Sequence, residues 1–154
     1  MGQQEGKIVS IALKMAHGAP MNEVQEAQVS EEGIEGNVHQ RAERRLTFLS
    51  KEQWAKVEQE LGTPLPWTVR RANILVEGLD LAATLGKSLH VGDLKVHING
   101  ETEPCGQMEA AQAGLWGAMK PECRGGVYGN VVQAGPIRVG DTIRVVEESN
   151  VRNE

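Results

Sequence analysis

The cysteine at position 105 lies between Pro104 and Gly106, directly before a helical-looking run. The deprotonated thiolate is the form of cysteine that acts as a nucleophile or metal ligand. A helix N-terminus favours the thiolate through its free amides and the positive end of the helix dipole, whereas nearby carboxylates such as Glu103 raise the thiol pKa. Cys105 is therefore a candidate catalytic residue, and the open alternative is an inert cysteine in the core.

A second cysteine, Cys123, lies in the segment PECRGG with Arg124 beside it. A neighbouring cation also favours the thiolate. The interpretation that we favour for Cys123 is nevertheless an uninvolved residue at the surface.

Arginines gather in the loops of this acidic chain. His39 lies beside the first group, which is Arg41, Arg44 and Arg45. The ordinary interpretation is a set of solvated surface charges. The sharper interpretation is a basic pocket for a phosphate or other anion, because the planar guanidinium fork matches such groups. The arginines concerned are Arg41, Arg44, Arg45, Arg70, Arg71 and Arg124.

Several common site motifs fail on spacing. Gly86-Lys87-Ser88 resembles the end of a phosphate-binding loop, but Leu81 stands where that loop needs its first glycine. Neither the two cysteines nor the histidines have the close spacing of a zinc site, and serine-hydrolase and zinc-protease motifs are missing from the sequence. These classes of site are not predicted.

The bulk composition describes a folded acidic domain. The chain has 154 residues, a formal net charge of −5 and 40% hydrophobic residues, of which few are aromatic. The negative charge argues against a general nucleic-acid binder, and no apolar run is long enough for a transmembrane helix. With no secretory signal evident, we expect a cytoplasmic protein with reduced cysteines and no membrane partner.

Short apolar segments separated by glycine turns predict a mostly β protein with a few helices. We expect a β-barrel with helices packed outside, in one domain over residues 1–154, with a core at about 7–146 and a polar tail at 147–154. One predicted helix starts after Ser50 and the other spans Gln107–Met119. Strands are predicted at Lys7–Leu13, Val24–Val29, Leu46–Leu49 and Arg70–Glu77, in the segment GGVYGNVVQAG, and as strand–turn–strand units at Ser88–Ile98 and Pro136–Val146.

Taken together and in order, these segments resemble the MOSC domain, named for the C-terminal domain of molybdenum cofactor sulfurases. The resemblance rests on RANILVEGLD from Arg71, on Val91-Gly-Asp, on Glu103-Pro-Cys, and on GGVYGNV and GPIRVGD near the end. The segment from Gly36 to His39 resembles the family's Gly-Asp-x-His, with Asn37 where Asp is common.

The resemblance implies a β-barrel that associates with the molybdenum cofactor, molybdopterin, a pterin dithiolene that carries a phosphate. The family's cysteine corresponds to Cys105, which ligates molybdenum in reductase relatives and is proposed to carry sulfur in sulfurase-linked ones. A basic pocket would hold the phosphate. Arg71 is the first candidate for that pocket, with His39, Arg41 and Arg124 behind it.

Three functions follow as hypotheses. The first is a cofactor-binding or sulfur-carrier protein that uses Cys105. The second is a molybdenum-dependent reductase of N-hydroxylated compounds, and the third is a non-catalytic barrel that binds a partner protein or a small anion. In the first two cases the compact chain must receive sulfur, cofactor or electrons from a partner protein, and whether it is itself an enzyme, a sulfurtransferase or an oxidoreductase, stays open.

Overall fold

The computed structural model describes residues 4–38, 40, 44–102, 108 and 112–147. The described chain is mostly β, as predicted. Its strands are β1 Glu5–Lys14, β2 Met21–Val24, β3 Glu26–Ser30, β4 Gly33–Ile34, β5 Leu46–Ser50, β6 Ile74–Glu77, β7 Ser88–Val91, β8 Leu94–Glu101, β9 Val127–Gln133, β10 Gly135–Arg138 and β11 Thr142–Val146. The helices are α1 Lys51–Leu61 and α2 Leu115–Ala118, and short 3-10 turns span Trp67–Arg70, Leu81–Thr84 and Pro121–Cys123.

Within the described residues, seven strands close into a barrel in the order β11-β7-β8-β9-β5-β6-β1. Closure comes from β1, whose first residues pair with β11, Glu5 opposite Arg144. The barrel pairings are antiparallel except for β5 with β6, which is parallel. The second half of β1 also pairs with β2, and β10, β3 and β4 form a small separate sheet.

Alternating side chains fill the barrel. In β8, Leu94, Val96 and Ile98 are buried while the residues between them are partly exposed, as the alternation in the sequence predicts. The largest side chain in this core is Phe48, the single phenylalanine of the chain. Branched aliphatic residues supply most of the remaining volume.

A second core lies outside the barrel, between β5, β6 and the helices. In β5, Phe48 belongs to the inner core and Leu49 to the outer one, and Ile74 and Leu75 divide in the same way in β6. Both faces of these strands are therefore covered, which explains why apolar residues stand next to each other at Phe48-Leu49 and Ile74-Leu75. Helices packed on the barrel are thus confirmed.

Helix α1 begins and ends as its sequence predicts. The Ser50 hydroxyl accepts the Gln53 amide at 3.1 Å, and Gly62 ends the helix in the left-handed region, with φ 73°. Trp54 and Val57 face the outer core. The Gln53 side chain does not bond back to the cap, since its buried Oε1 has no partner among the described residues.

Two predicted elements have different bounds. The predicted helix Gln107–Met119 is interrupted because Gly114 has φ 85°, and its described final segment is only α2. The strand predicted from Arg70 starts at Ile74 instead, because Arg71 is left-handed, with φ 64°, at the end of a 3-10 turn.

In the part of the chain that the structure describes, no helix is both long and apolar enough to cross a membrane. The predicted polar tail lies outside the described residues except for position 147, and the single-domain assignment stays a prediction.

Candidate functional site

A cleft of about 190 Å³ lies beside the end of β1 and the segment that leads into β6. Ala72 and Met108 belong to the outer core and also line the cleft. The cleft therefore lies where the helices pack on the barrel. The lining residues are Lys14, Met21, Asn37, Gln40, Arg44, Thr47, Arg70, Arg71, Ala72, Asn73, Thr102, Met108 and Gly125.

The cleft is strongly basic. Four of its lining side chains are cationic, namely Lys14, Arg44, Arg70 and Arg71, and no aspartate or glutamate is among the described lining residues. Mutual repulsion of neighbouring cations is unfavourable, and a bound anion relieves it. The arrangement therefore suits an anionic group such as a phosphate.

Arg71 is held in a left-handed backbone conformation that arginine rarely adopts, with φ 64° and ψ 28°. Its amide donates to the Thr68 carbonyl at 3.0 Å, which closes the 3-10 turn. The residue is exposed and lines the cleft. Strained residues persist where the surrounding structure determines them, and they concentrate at functional sites.

Arg70, next to it, has a different role. Its Nε donates to the Gly125 carbonyl and its Nη2 to the Thr102 carbonyl, both at 2.8 Å. A Cβ at Gly125 would lie 2.6 Å from the Thr102 carbonyl oxygen, so this close approach requires glycine. Arg70 thus joins the end of β8 to the loop before β9 across one wall of the cleft.

Asn73 fixes the other wall. Its side-chain oxygen accepts from the Thr47 amide at 3.2 Å and from the Thr47 hydroxyl at 3.1 Å. Its amide group donates to the Ala12 carbonyl at 3.2 Å. This buried side chain therefore ties together β1, β5 and the start of β6.

Arg44 approaches the cleft from the segment before β5. Its guanidinium carbon lies 4.9 Å from the centre of the Tyr128 ring. Such a cation–π contact restricts the orientation of the guanidinium without neutralising it. The charge of Arg44 therefore remains available at the cleft.

Lys14 is half-buried at the end of β1. Burial, and then the positive charge of Arg71, lower the pKa of its amine below the usual value for lysine. Both causes disfavour the charged form of the amine. An anion placed beside it would favour that form and raise the pKa again.

The structure places Arg71 at the cleft and Arg124 elsewhere. The buried Arg124 side chain contacts Glu60 at 2.7 Å and the Ala118 carbonyl at 3.1 Å, and it is not among the cleft-lining residues. Cys105, His39 and Arg41 lie outside the described residues.

Cys123 is not at the surface, and that interpretation was wrong. Its side chain packs in the inner core. Burial first, and then the nearby carboxylates of Glu101 and Asp80, raise the pKa of the Cys123 thiol to about 11. The thiol is therefore protonated near neutral pH and unsuited to nucleophilic chemistry. The neighbouring Arg124 does not offset this, because its guanidinium is paired with Glu60.

Sequence reasoning did not single out Lys14, Thr47 or Asn73. They come from β1, β5 and the approach to β6, and only the strand pairing brings them together. One available signal was the presence of the polar Arg71 and Asn73 just before the apolar run of three residues, 74–76, in β6. Among the described residues, no cluster of three or more metal-ligating side chains exists.

The model of the MOSC domain family matches residues 35–144. The chain belongs to the MOSC domain family. This match spans the cleft segments from Asn37 to Gly125, together with Cys105. Lys14, by contrast, lies before the matched range, so the MOSC match leaves that part of the cleft unassigned. No curated protein matches the chain.

Solved structures share this MOSC fold at low sequence identity. The YuaD protein of Bacillus subtilis has a TM-score of 0.80 at 17% identity, covering 95% of this chain and 98% of that one. YiiM of Geobacillus stearothermophilus has a TM-score of 0.76 at 21% identity, covering 95% and 77%. YiiM of Escherichia coli has a TM-score of 0.71 at 16% identity, covering 92% and 70%.

Proposed function

We propose that this MOSC domain binds the molybdenum cofactor by its phosphate in the basic cleft and uses Cys105 as a sulfur acceptor or metal ligand. The observation that carries the proposal is the cleft itself, in which four cationic side chains line one cavity and no described lining residue is acidic. Arg71 is the leading phosphate-binding residue, since it is exposed within the cleft while Arg70 is bonded to two carbonyls.

Chain connectivity supports a role for Cys105 at this cleft. Thr102 and Met108 both line the cavity. Cys105 is three residues from each of them in the sequence. Because a residue spans at most about 3.6 Å of extended chain, the Cys105 Cα is within about 11 Å of both flanking Cα atoms in any conformation.

The chemistry suits a thiolate near a basic cleft. Cationic surroundings lower a thiol pKa and increase the thiolate fraction at neutral pH. As a sulfur acceptor, the Cys105 thiolate would attack the terminal sulfur of a partner protein's persulfide. A new S–S bond forms, the donor S–S bond breaks, and the donor leaves as a thiolate. When bound, the cofactor supplies a molybdenum centre held by its dithiolene, to which Cys105 could add a ligand.

The test is purification from a host that makes the cofactor. We expect fluorescent pterin after oxidation of the purified protein, or an added mass of about 32 Da on Cys105 from one bound sulfur atom. Arg71→Ala should lose pterin while the fold is kept. Arg138→Ala is the matched control, because Arg138 is exposed and pairs with Glu26 outside the cleft.

Cysteine variants test whether Cys105, and not Cys123, carries the sulfur adduct. Cys105→Ser should lose the sulfur adduct, whereas Cys123→Ala should keep it, because the Cys123 thiol is buried and protonated. Pterin-free and adduct-free protein from both wild type and Cys105→Ser would leave the non-catalytic barrel as the better account. Oxidation of a reduced dye by N-hydroxylated substrates, dependent on bound cofactor, would identify the reductase alternative.

A further inference from the structure

Lys14 is placed at the cleft by a backbone that is fixed on both sides. Its amide donates to the Asn37 side-chain oxygen at 2.8 Å, and its carbonyl accepts from the Val38 amide at 2.6 Å. Its β1 neighbours are paired with β2, with Lys14 itself opposite Met21. The side chain therefore enters the cleft from a rigid strand end, and its position does not depend on a loose loop.

Among the described residues, the charged groups that line the cleft with Lys14 are cationic. Arg44 comes from the segment before β5, and Arg70 and Arg71 come from the segment before β6. On the paired strand β2, the acidic residue is Glu23, which is exposed and lies opposite Ala12. None of the described residues that line the cleft with Lys14 supplies a counter-charge.

In this cluster, whether the Lys14 amine is charged depends on the pH and on whether an anion is bound. Guanidinium groups stay protonated at all ordinary pH values, so the amine is the cleft cation that can release its proton. Burial and Arg71 already lower the pKa of that amine. An oxyanion beside the amine would act in the opposite direction and favour the charged form.

We propose that Lys14 is an anion-binding residue of the cleft and that the cleft takes up a proton on Lys14 when it binds a doubly charged oxyanion. The inference rests on the proposed function, since it assumes that the cleft is an anion site. It goes further by naming an additional binding residue and by coupling occupancy to protonation. Cofactor loading would then be favoured as pH falls and release favoured as pH rises.

The direction follows from linkage. The amine pKa is lower in the empty cleft than in the occupied one, so the occupied protein holds more protons between these two values. Affinity is therefore highest below the pKa of the empty cleft and declines as pH rises through it. Replacing lysine with arginine removes the dependence, because the guanidinium does not titrate in this range.

Sulfate is the probe of choice, because it stays doubly charged over the whole range and any pH dependence comes from the protein. Binding is measured by isothermal titration calorimetry at constant ionic strength, from about pH 7.5, where histidine is largely neutral, to about pH 10. Cys105→Ser serves as the background, so that this thiol does not titrate. Lys14→Arg and Lys14→Met are compared in it, and buffers of different ionisation enthalpy report proton uptake.

With Lys14 present, sulfate affinity should fall at least about threefold over this range, with net proton uptake on binding. Lys14→Arg should bind with a much flatter profile and no uptake, and Lys14→Met should bind weakly at every pH. Equal pH profiles for lysine and arginine would overturn the coupling but leave the anion site intact. No sulfate binding by any variant, at any pH, would overturn the proposed anion cleft as well.

Discussion

At the scale of single residues, the adjacent Arg70 and Arg71 have different roles in the cleft. Arg70 uses its donors on backbone carbonyls and stabilises the wall. Arg71 adopts φ 64°, a conformation that glycine or asparagine would adopt at lower cost. If the cleft binds an anion as proposed, the Arg71 side chain contributes to binding at the expense of a strained backbone.

Arg71→Gly is predicted to weaken anion binding and, at the same time, to relieve the strained backbone. Arg71→Gly and Arg71→Ala both remove the guanidinium, so both should bind sulfate at least about tenfold more weakly. Only glycine relieves the left-handed backbone, and Arg71→Gly should therefore be about 1 kcal/mol more stable than Arg71→Ala. Urea unfolding and calorimetric titration measure the two quantities. Equal stability of the pair would mean that the backbone is not strained.

At this scale, the sequence identified candidate residues but did not reveal their partners in the fold. Charge and position made both Arg71 and Arg124 candidates, whereas only Arg71 lines the cleft. Arg124 bonds Glu60 at 2.7 Å, and Glu60 is 64 residues away in the chain, so PECRGG reveals only the longer contact of Arg124 with Glu122 at 3.8 Å. In the same way, no local pattern shows that Cys123 faces Glu101 and the inner core.

At the scale of elements, prediction succeeded where local chemistry decides the structure. The cap at Ser50 and the left-handed Gly62 mark both ends of α1, and alternation marks β8. It failed at Gly114, where periodic apolar residues suggested a continuous helix but the backbone turns left-handed. Glycine permits both conformations, so tertiary packing makes the choice there.

The cap of α1 gives the prediction at this scale. Ser50→Ala removes the hydroxyl that accepts the Gln53 amide and should lower the free energy of unfolding by about 1 kcal/mol. Ser50→Asn should keep most of the stability, because asparagine is also a good cap and adds no charge beside Glu52. Urea denaturation of the three proteins tests this. A Ser50→Asn variant as unstable as Ser50→Ala would show that the loss comes from packing of the buried Ser50 and not from capping.

At the scale of the whole molecule, the barrel and the cleft share one buried side chain. Asn73 joins β1 to β5 by hydrogen bonds to Ala12 and Thr47, and it also lines the cavity. A change at this position should therefore reach both the closure of the barrel and the geometry of the anion site. Long-range pairing of this kind has no local sequence pattern, which is why Asn73 was not anticipated.

We expect Asn73→Ala to lower the free energy of unfolding by about 2–4 kcal/mol, because it removes the side-chain bonds from Asn73 to the Thr47 amide, the Thr47 hydroxyl and the Ala12 carbonyl. Sulfate affinity should fall in the same variant. Asn99→Ala is the matched control, since Asn99 is exposed on β8, where it bonds Asn130 at 3.0 Å, and its loss should cost about 0.5 kcal/mol or less. Similar losses in the two variants would argue against a special role for Asn73.

The pairing of β1 with β11 has a practical consequence. Because Glu5 lies directly opposite Arg144, the first and last described strands are neighbours in one sheet. A short linker could join these strands, and new termini could open at an exposed turn such as the one at Gly92 between β7 and β8. A circular permutant of this design would keep every barrel pairing. Its new ends would lie at the Gly92 turn, at the opposite end of β8 from the cleft-lining Thr102, so the protein could be immobilised through them with the cleft left clear.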